Sequence, residues 1–364
     1  MLSNRHIRFL LILVAIVVVS AFISSRIQTS GGQVRVLDIR IPAQNGQWVA
    51  ADLFKPRSAT AESPAPLVVV VPGFQRSREA LANIAIEFAR RGIVVISIDP
   101  YAQGRSSSSY SRRAATTEGY GMFAVVDYAA SSENLNYIDK SRIASTGHSP
   151  GGNAAIRGAN YFGRQAQESG LPSKLHSVFV SGYVLTLQDE VLKDVQSNIG
   201  VSYAFYDEGA YRNELKNGDM RIAPEALRVV NLGRDRSLPP VAEVQLGHYY
   251  GNLEDRTLRV VHNERILHPF QPYMPEATAN QLEYFEKVFG LDFELSHDDQ
   301  VWYWKELLGA LSLIAALCAL VPLSRILLET RFFSPVIHPL PPALPKPRGR
   351  GRMIFWSVFA FSAL

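Results

Sequence analysis

The segment Gly147-His148-Ser149-Pro150-Gly151-Gly152 contains the pattern G-x-S-x-G. It follows a short apolar strand pattern, Arg142 to Thr146, and opens an Ala-rich helical pattern that runs through Tyr161. A sharp strand-to-helix turn lifts such a serine above a sheet edge, and the glycines let strand and helix approach closely. The other reading is a turn serine that caps the helix; the position between strand and helix favours the nucleophile. Serine attacks a carbonyl poorly unless a base takes its proton, and a neutral imidazole near pH 7 is the natural base. His268 lies six residues beyond the strand pattern Leu258 to His262, in a loop before the last helical pattern of this region. Asp207 follows the strand pattern Val201 to Tyr206, where a carboxylate is placed to hold an imidazole in one tautomer. Several alternatives stay open. Glu208 is a neighbour that could replace Asp207, and His262 is a rival base. His268 also reads as a surface histidine and Asp207 as a turn residue or helix cap. His148 suits packing or hydrogen bonding, and Asp99-Pro100 a structural turn braced by Arg105 and Ser106.

These residues need a scaffold, and the chain between 34 and 290 supplies strand and helix patterns in alternation. Val34 to Ile41 alternates, Asn45-Gly46 signals a two-residue hairpin, and Trp48 to Phe54 returns. Leu67 to Val71 and Ile93 to Ile98 are aliphatic runs of the kind found in strands buried on both faces. Glu79 to Arg91, closed by Gly92, and Glu118 to Ala130 have helical periodicity, and the Ser- and Gly-rich stretch 101–113 reads as a loop. Ser177 to Val184 is a further strand, and Pro275 to Phe289 the last helix before the C-terminal apolar run. Alternation of this kind predicts an α/β fold: a mostly parallel sheet with right-handed crossovers and helices on both faces. Ligands of such sheets bind beyond the carboxyl ends of the strands, which is where Ser149, Asp207 and His268 fall. Residues 210–256 break the pattern and read as a cap-like insertion. Trp48, Tyr249 and Tyr250 are candidate pocket aromatics, with ordinary packing as the plainer reading.

The motifs V-V-V-V-P-G-F at 68–74, D-P-Y-A-Q-G-R-S at 99–106, G-H-S-P-G-G at 147–152, Y-D-E at 206–208 and I-L-H-P at 266–269 resemble those of an α/β-hydrolase. The resemblance covers roughly residues 34–290 and is closest to the dienelactone-hydrolase and peptidase-like branches, in a membrane-anchored form. It implies a Ser–Asp–His triad of Ser149, Asp207 and His268 in that chain order. It also implies an oxyanion hole with the backbone N–H of Phe74 as one donor. The second donor is normally the N–H of the residue after the nucleophile. Here that residue is Pro150, which has none. Proline suits the first position of a helix, and Gly151 is a candidate replacement donor. No H-E-x-x-H, Walker A or G-x-G-x-x-G pattern is present, so a reaction without metal or cofactor is expected.

Of the 364 residues, 47% are hydrophobic and 19% charged, which excludes a disordered chain. The single cysteine, Cys318, excludes a disulfide scaffold. The low charge comes from the ends. Phe9 to Ile23 is an uncharged apolar run that reaches 17 residues with Ser24 and Ser25, between Arg8 and Arg26. Its alternatives are a cleaved signal peptide and an uncleaved signal anchor; without a clean A-x-A site, the anchor over 9–25 is expected. Leu307 to Leu323 is a second span of 17 residues, and a third apolar run from Met353 to Leu364 suggests a further span in a longer chain. Residues 324–352 carry six basic residues against Glu329 alone. The positive-inside rule places that loop and residues 1–8 in the cytoplasm. Residues 27–305, with 28 basic and 31 acidic residues, then form an extracytoplasmic domain of a multi-pass cell-membrane protein. With no basic patch interleaved with aromatics, a nucleic-acid partner is not expected. The expected partners are a small-molecule ester or acyl substrate and the lipid bilayer. The function expected is a membrane-anchored serine hydrolase acting through an acyl-enzyme. The alternative is a weakly active or inactive hydrolase-like binding or scaffold domain of a polytopic membrane protein, which Pro150 motivates.

Overall fold

The computed structural model describes residues 4–232, 234, 237–343 and 345–362. Among the described residues eight strands form one sheet: β1 (Val34–Pro42), β2 (Trp48–Pro56), β3 (Ala65–Val71), β4 (Val94–Ile98), β5 (Ile138–His148), β6 (Ser177–Ser181), β7 (Asn198–Ser202) and β8 (Arg259–His262). Their order is β1-β2-β4-β3-β5-β6-β7-β8. β1 and β2 pair antiparallel, as do β2 and β4, and every later pairing is parallel. The helices are α1 (Asn4–Gln28), α2 (Ala82–Arg90), the single turn α3 (Ala114–Thr117), α4 (Met122–Ser131), α5 (Pro150–Ser169), the single turn α6 (Asp189–Leu192), α7 (Pro224–Leu232), α8 (Pro275–Phe289), α9 (Trp302–Leu328) and α10 (Arg350–Ser362).

The sheet is central because its middle strands are apolar on both sides. In β3, Leu67, Val69 and Val71 face one core with α4 and α5, while Val68 and Val70 face another with α2 and α8. All are fully buried, and each such valine contributes about 1.5–3 kcal/mol of burial free energy. The fold is thus the expected three-layer α/β arrangement.

Several boundaries differ from the sequence reading. The β1–β2 connection is not a two-residue hairpin. Residues 43–47 form a longer loop around a 3₁₀ turn at Gln44–Gly46, closed by Ala43 N–H donating to Gln47 O at 2.9 Å. Strand β6 stops at Ser181 rather than Val184, because Gly182 takes a left-handed φ of 64°. Strand β7 starts three residues before the expected Val201 and ends at Ser202. Its polar Asn198 and its Gly200 conceal a strand whose five residues are all buried; a Cβ on Gly200 would lie 2.4 Å from the Phe179 ring. The helix expected from Glu118 begins as α-helix only at Met122. Glu118 instead turns its carboxylate to Gln44 Nε2 at 3.0 Å and to the Ser109 hydroxyl.

The described chain divides into two compact units, Ser20–Gly309 and the end segments outside it. Within the larger unit, segment 296–302 is held against the end of α2. Glu87, fully buried, accepts from the N–H groups of Val301 and Trp302 at 2.8 and 3.1 Å, and Arg91 bonds Glu87 at 2.9 Å. Glu87 thereby satisfies otherwise orphaned amides at the start of α9. Helices α1 and α9, with 25 and 27 residues, are long and apolar enough to cross a membrane. Helix α10 adds 13 largely apolar, exposed residues.

Candidate active site

The turn at Ser149 is built by close packing. Ser149 has φ 60° and ψ −123°, a backbone conformation rare for a residue with a Cβ, and Pro150 opens α5 directly after it. Ser149 N–H donates to Ser181 O at 2.8 Å, tying the turn to the end of β6. A Cβ on Gly151 would sit 1.9 Å from Val71 O, and one on Gly147 2.5 Å from the same oxygen. Only glycine allows β5 and α5 this near to β3. Such strain persists where its surroundings hold it, and it clusters at functional sites.

His268 begins a 3₁₀ helix, His268–Tyr273, between β8 and α8. Its Nε2 lies 2.9 Å from Ser149 Oγ and its Nδ1 2.7 Å from Asp207 Oδ2. Three residues separated by 119 and 61 positions in the chain therefore form one hydrogen-bonded line. Asp207 has a side chain only 4% exposed, and its Oδ1 accepts from Gly209 N–H at 2.6 Å. Burial raises its pKa, but the hydrogen bond and charge of His268, Gly209 N–H and the Tyr203 hydroxyl outweigh that and hold it below the usual carboxylate value. Asp207 stands five residues beyond the end of β7, not directly after a strand. The intervening segment runs alongside the His268 loop through Phe205 N–H to Glu264 O at 2.7 Å and Tyr206 N–H to Ile266 O at 3.1 Å.

The alternatives named from sequence take other places. Glu208 accepts from the backbone N–H of His268 at 3.3 Å. His262 is buried against Phe179 and its pKa falls to about 4 through burial. His148 is also buried, with its ring 4.5 Å from that of His268. Burial first, then the His268 and Arg76 charges, lower its pKa to about 3, so it stays neutral at physiological pH. Asp99 is structural: its Oδ1 accepts from Arg78 N–H and its Oδ2 from Arg105 N–H, both at 2.9 Å. Ser106 Oγ bridges Ala50 N–H and Asp99 O at 2.8 and 2.6 Å. Trp48 Nε1 donates to Arg105 O at 3.1 Å, Tyr249 packs under Lys287, and Tyr250 OH accepts from Gln245 N–H at 2.9 Å. The insertion pairs with β8 through Tyr250 and Arg259.

The loop after β3 turns at Gly73–Arg76, with Gln75 at φ 55°. Arg76 N–H is taken by Gln103 Oε1 at 2.8 Å, whereas the N–H groups of Phe74 and Gln75 have no partner among the described residues. Gly73 is close to Ser149; a Cβ there would lie 3.5 Å from Ser149 Cβ. Phe74, Tyr206, Leu267 and Phe270, next in sequence to the parts of the site, all expose large apolar surface. Sequence reasoning missed a second feature, the buried carboxyl of Glu264 behind the His268 loop. The only signal for it was an acid two residues past a buried strand.

The sheet order, the strained serine turn and the histidine loop define a hydrolase of the α/β type. The chain belongs to the PET hydrolase-like family, whose family model matches residues 20–213. That match includes Ser149 and Asp207 and ends before His268. No curated protein matches the chain. Among solved structures, the Pyrococcus furiosus esterase Pf2001 is 13% identical at a TM-score of 0.48, covering 71% of this chain and 94% of that one. Est1E from Butyrivibrio proteoclasticus, with ferulic acid bound, is 13% identical at 0.46, covering 69% and 99%. The α/β hydrolase GrgF from Penicillium sp. sh18 is 12% identical at 0.47, covering 71% and 100%.

Proposed function

We propose that this chain is a membrane-anchored serine hydrolase that cleaves a carboxylic ester or related acyl bond. The observation that carries the reading is the unbroken line Ser149 Oγ–His268 Nε2–His268 Nδ1–Asp207 Oδ2, with contacts of 2.9 and 2.7 Å. Ser149 Oγ attacks the carbonyl carbon while His268 takes its proton, and Asp207 orients the ring and stabilises the imidazolium. The N–H of Phe74 donates to the oxyanion. Collapse of the tetrahedral intermediate expels the alcohol, which leaves with the proton from His268, and an acyl-enzyme remains on Ser149. Water, deprotonated by His268, then releases the acid and restores the serine.

The exposed Phe74, Tyr206, Leu267 and Phe270 favour an apolar acyl or alkoxy group, in keeping with the PET hydrolase-like description of the family. The anchors are residues 9–25 and 307–323, with 27–305 outside the cell membrane and 1–8 and 324–352 in the cytoplasm. The basic excess of 324–352 supports this topology. The test is labelling of membranes with a fluorophosphonate probe, together with hydrolysis of activated esters. Label and turnover that vanish in Ser149→Ala support the reading, and a folded wild-type protein that never acylates overturns it. A second reading, a hydrolase-like binding domain, draws on Pro150, whose missing N–H removes an ordinary oxyanion donor.

A further inference from the structure

We infer that Glu264 is a positioning residue, a buried carboxyl that clamps the loop carrying His268 to the strand end that leads to Asp207. The inference rests on the hydrolase reading above and concerns how its base is held. Glu264 lies two residues beyond β8 and is 3% exposed. Ser202 Oγ, at the end of β7, lies 3.0 and 2.8 Å from its two carboxyl oxygens. Gln271 Nε2 donates to Oε2 at 3.0 Å and also to Ser202 Oγ at 2.7 Å. Asn280 Nδ2, on α8, donates to Oε1 at 2.8 Å. Gln271 is fully buried and sits three residues after His268 in the same 3₁₀ helix.

The knot therefore joins the carriers of two proposed triad members. β7 continues through Tyr203 into Asp207, and the 3₁₀ helix begins at His268. The backbone adds a parallel tie, Phe205 N–H to Glu264 O at 2.7 Å. A carboxyl offers acceptors on both oxygens, and this site presents an amide donor to each. Leaving a buried carboxyl without its hydrogen-bond partners is costly. The 3₁₀ helix is only six residues long and contains Pro272, so its own backbone bonds supply little stiffness. The clamp supplies what that short helix lacks, a fixed distance from the imidazole to both Ser149 and Asp207.

The experiment uses the full chain in membranes or detergent and reads kcat and KM for a p-nitrophenyl ester, the fluorophosphonate acylation rate and the thermal midpoint. In Glu264→Gln an amide nitrogen, which accepts no hydrogen bond, faces a donor at whichever oxygen position it takes. A displacement of the base by about 1 Å costs on the order of 10²-fold in rate. The expected result is a fall in kcat of about 10- to 100-fold with KM nearly unchanged. Gln271→Met, which keeps bulk and removes the donor, is expected to show the same split and keeps the test alive if Glu264→Gln does not fold. The exchange Glu264→Gln with Gln271→Glu swaps donor and acceptor and is expected to recover most of the loss. A lowered thermal midpoint with wild-type kcat per labelled serine would mean a role in stability alone and would overturn the inference, as would no recovery in the exchange. A wild type that never labels at Ser149 retires the hydrolase reading and this inference together. A labelled wild type whose Glu264 and Gln271 variants label at its own rate retires only the clamp.

Discussion

Replacing Pro150 with alanine changes one backbone group at the proposed catalytic centre. Pro150 is the first residue of α5, directly after the strained Ser149, at the position whose N–H ordinarily completes an oxyanion hole. Alanine restores that N–H and is smaller than proline, so it introduces no clash where the Pro150 ring faces Gly73. Loss of one oxyanion donor costs about 10²–10³ in kcat, or about 2.7–4 kcal/mol of transition-state stabilisation. Pro150→Ala is therefore expected to raise kcat by up to about 10²-fold. KM is expected to stay nearly constant, because the new bond forms fully only in the transition state. The stability change has two small parts. A more flexible unfolded chain costs about 0.4–1 kcal/mol, and relief of the pre-proline restriction at Ser149 offsets some of it. Burst kinetics with an activated ester at pH 8, with active sites counted by fluorophosphonate, measures acylation per competent serine. A gain below about threefold in a variant that melts with the wild type would refute the reasoning. It would mean that another amide, such as the unpartnered N–H of Gln75 or that of Gly151, already completes the hole.

Three further outcomes follow from the geometry. Asp207→Asn should lower kcat by about 10⁴-fold, whereas Glu208→Gln should change it less than threefold, because Glu208 accepts from the backbone N–H of His268 while Asp207 holds its ring; steady-state kinetics of the two variants side by side decides it. Gly151→Ala would drive a Cβ to 1.9 Å from the Val71 carbonyl oxygen. It should cost about 3 kcal/mol or more, read as a lowered denaturation midpoint. His262 has a folded-state pKa of about 4 against 6.5 for the free side chain, through burial. The unfolded chain then binds the extra proton between those values, so stability falls as pH drops from 6.5 to about 4. The slope from this residue is about 1.4 kcal/mol per pH unit. His148, at about 3, acts in the same sense, and Glu264, raised above 4.5 by burial, acts oppositely. The test is therefore the difference in slope between wild type and His262→Leu; equal slopes for the two proteins over pH 4–6.5 would show that His262 is not buried neutral.

What the sequence by itself determined is local in origin. Aliphatic runs such as Leu67–Val71 announce strands buried on both faces, because no other short element hides five consecutive branched side chains. The G-x-S-x-G turn announces itself because only glycines tolerate the approach of β5 and α5 to Val71. The apolar runs at 9–25 and 307–323 need nothing but their own length and hydrophobicity. The tertiary structure decided the rest. Asp207 and Glu208 are neighbours of the same charge, and only the crossing of two loops 61 residues apart selects which one meets the His268 ring. His262 and His268 were rivals until β8 carried the first into the apolar layer beside Phe179. Strand β7 was misplaced because its Asn198 and Gly200 lie under other elements, which supply the partners and the bulk that the strand lacks. Glu264 carried almost no signal, since a lone acid looks the same on paper whether water or three side-chain donors surround it. Hydrogen-bond partners contributed by distant segments exist only once the chain has folded, and they account for the parts of this site that the sequence left open.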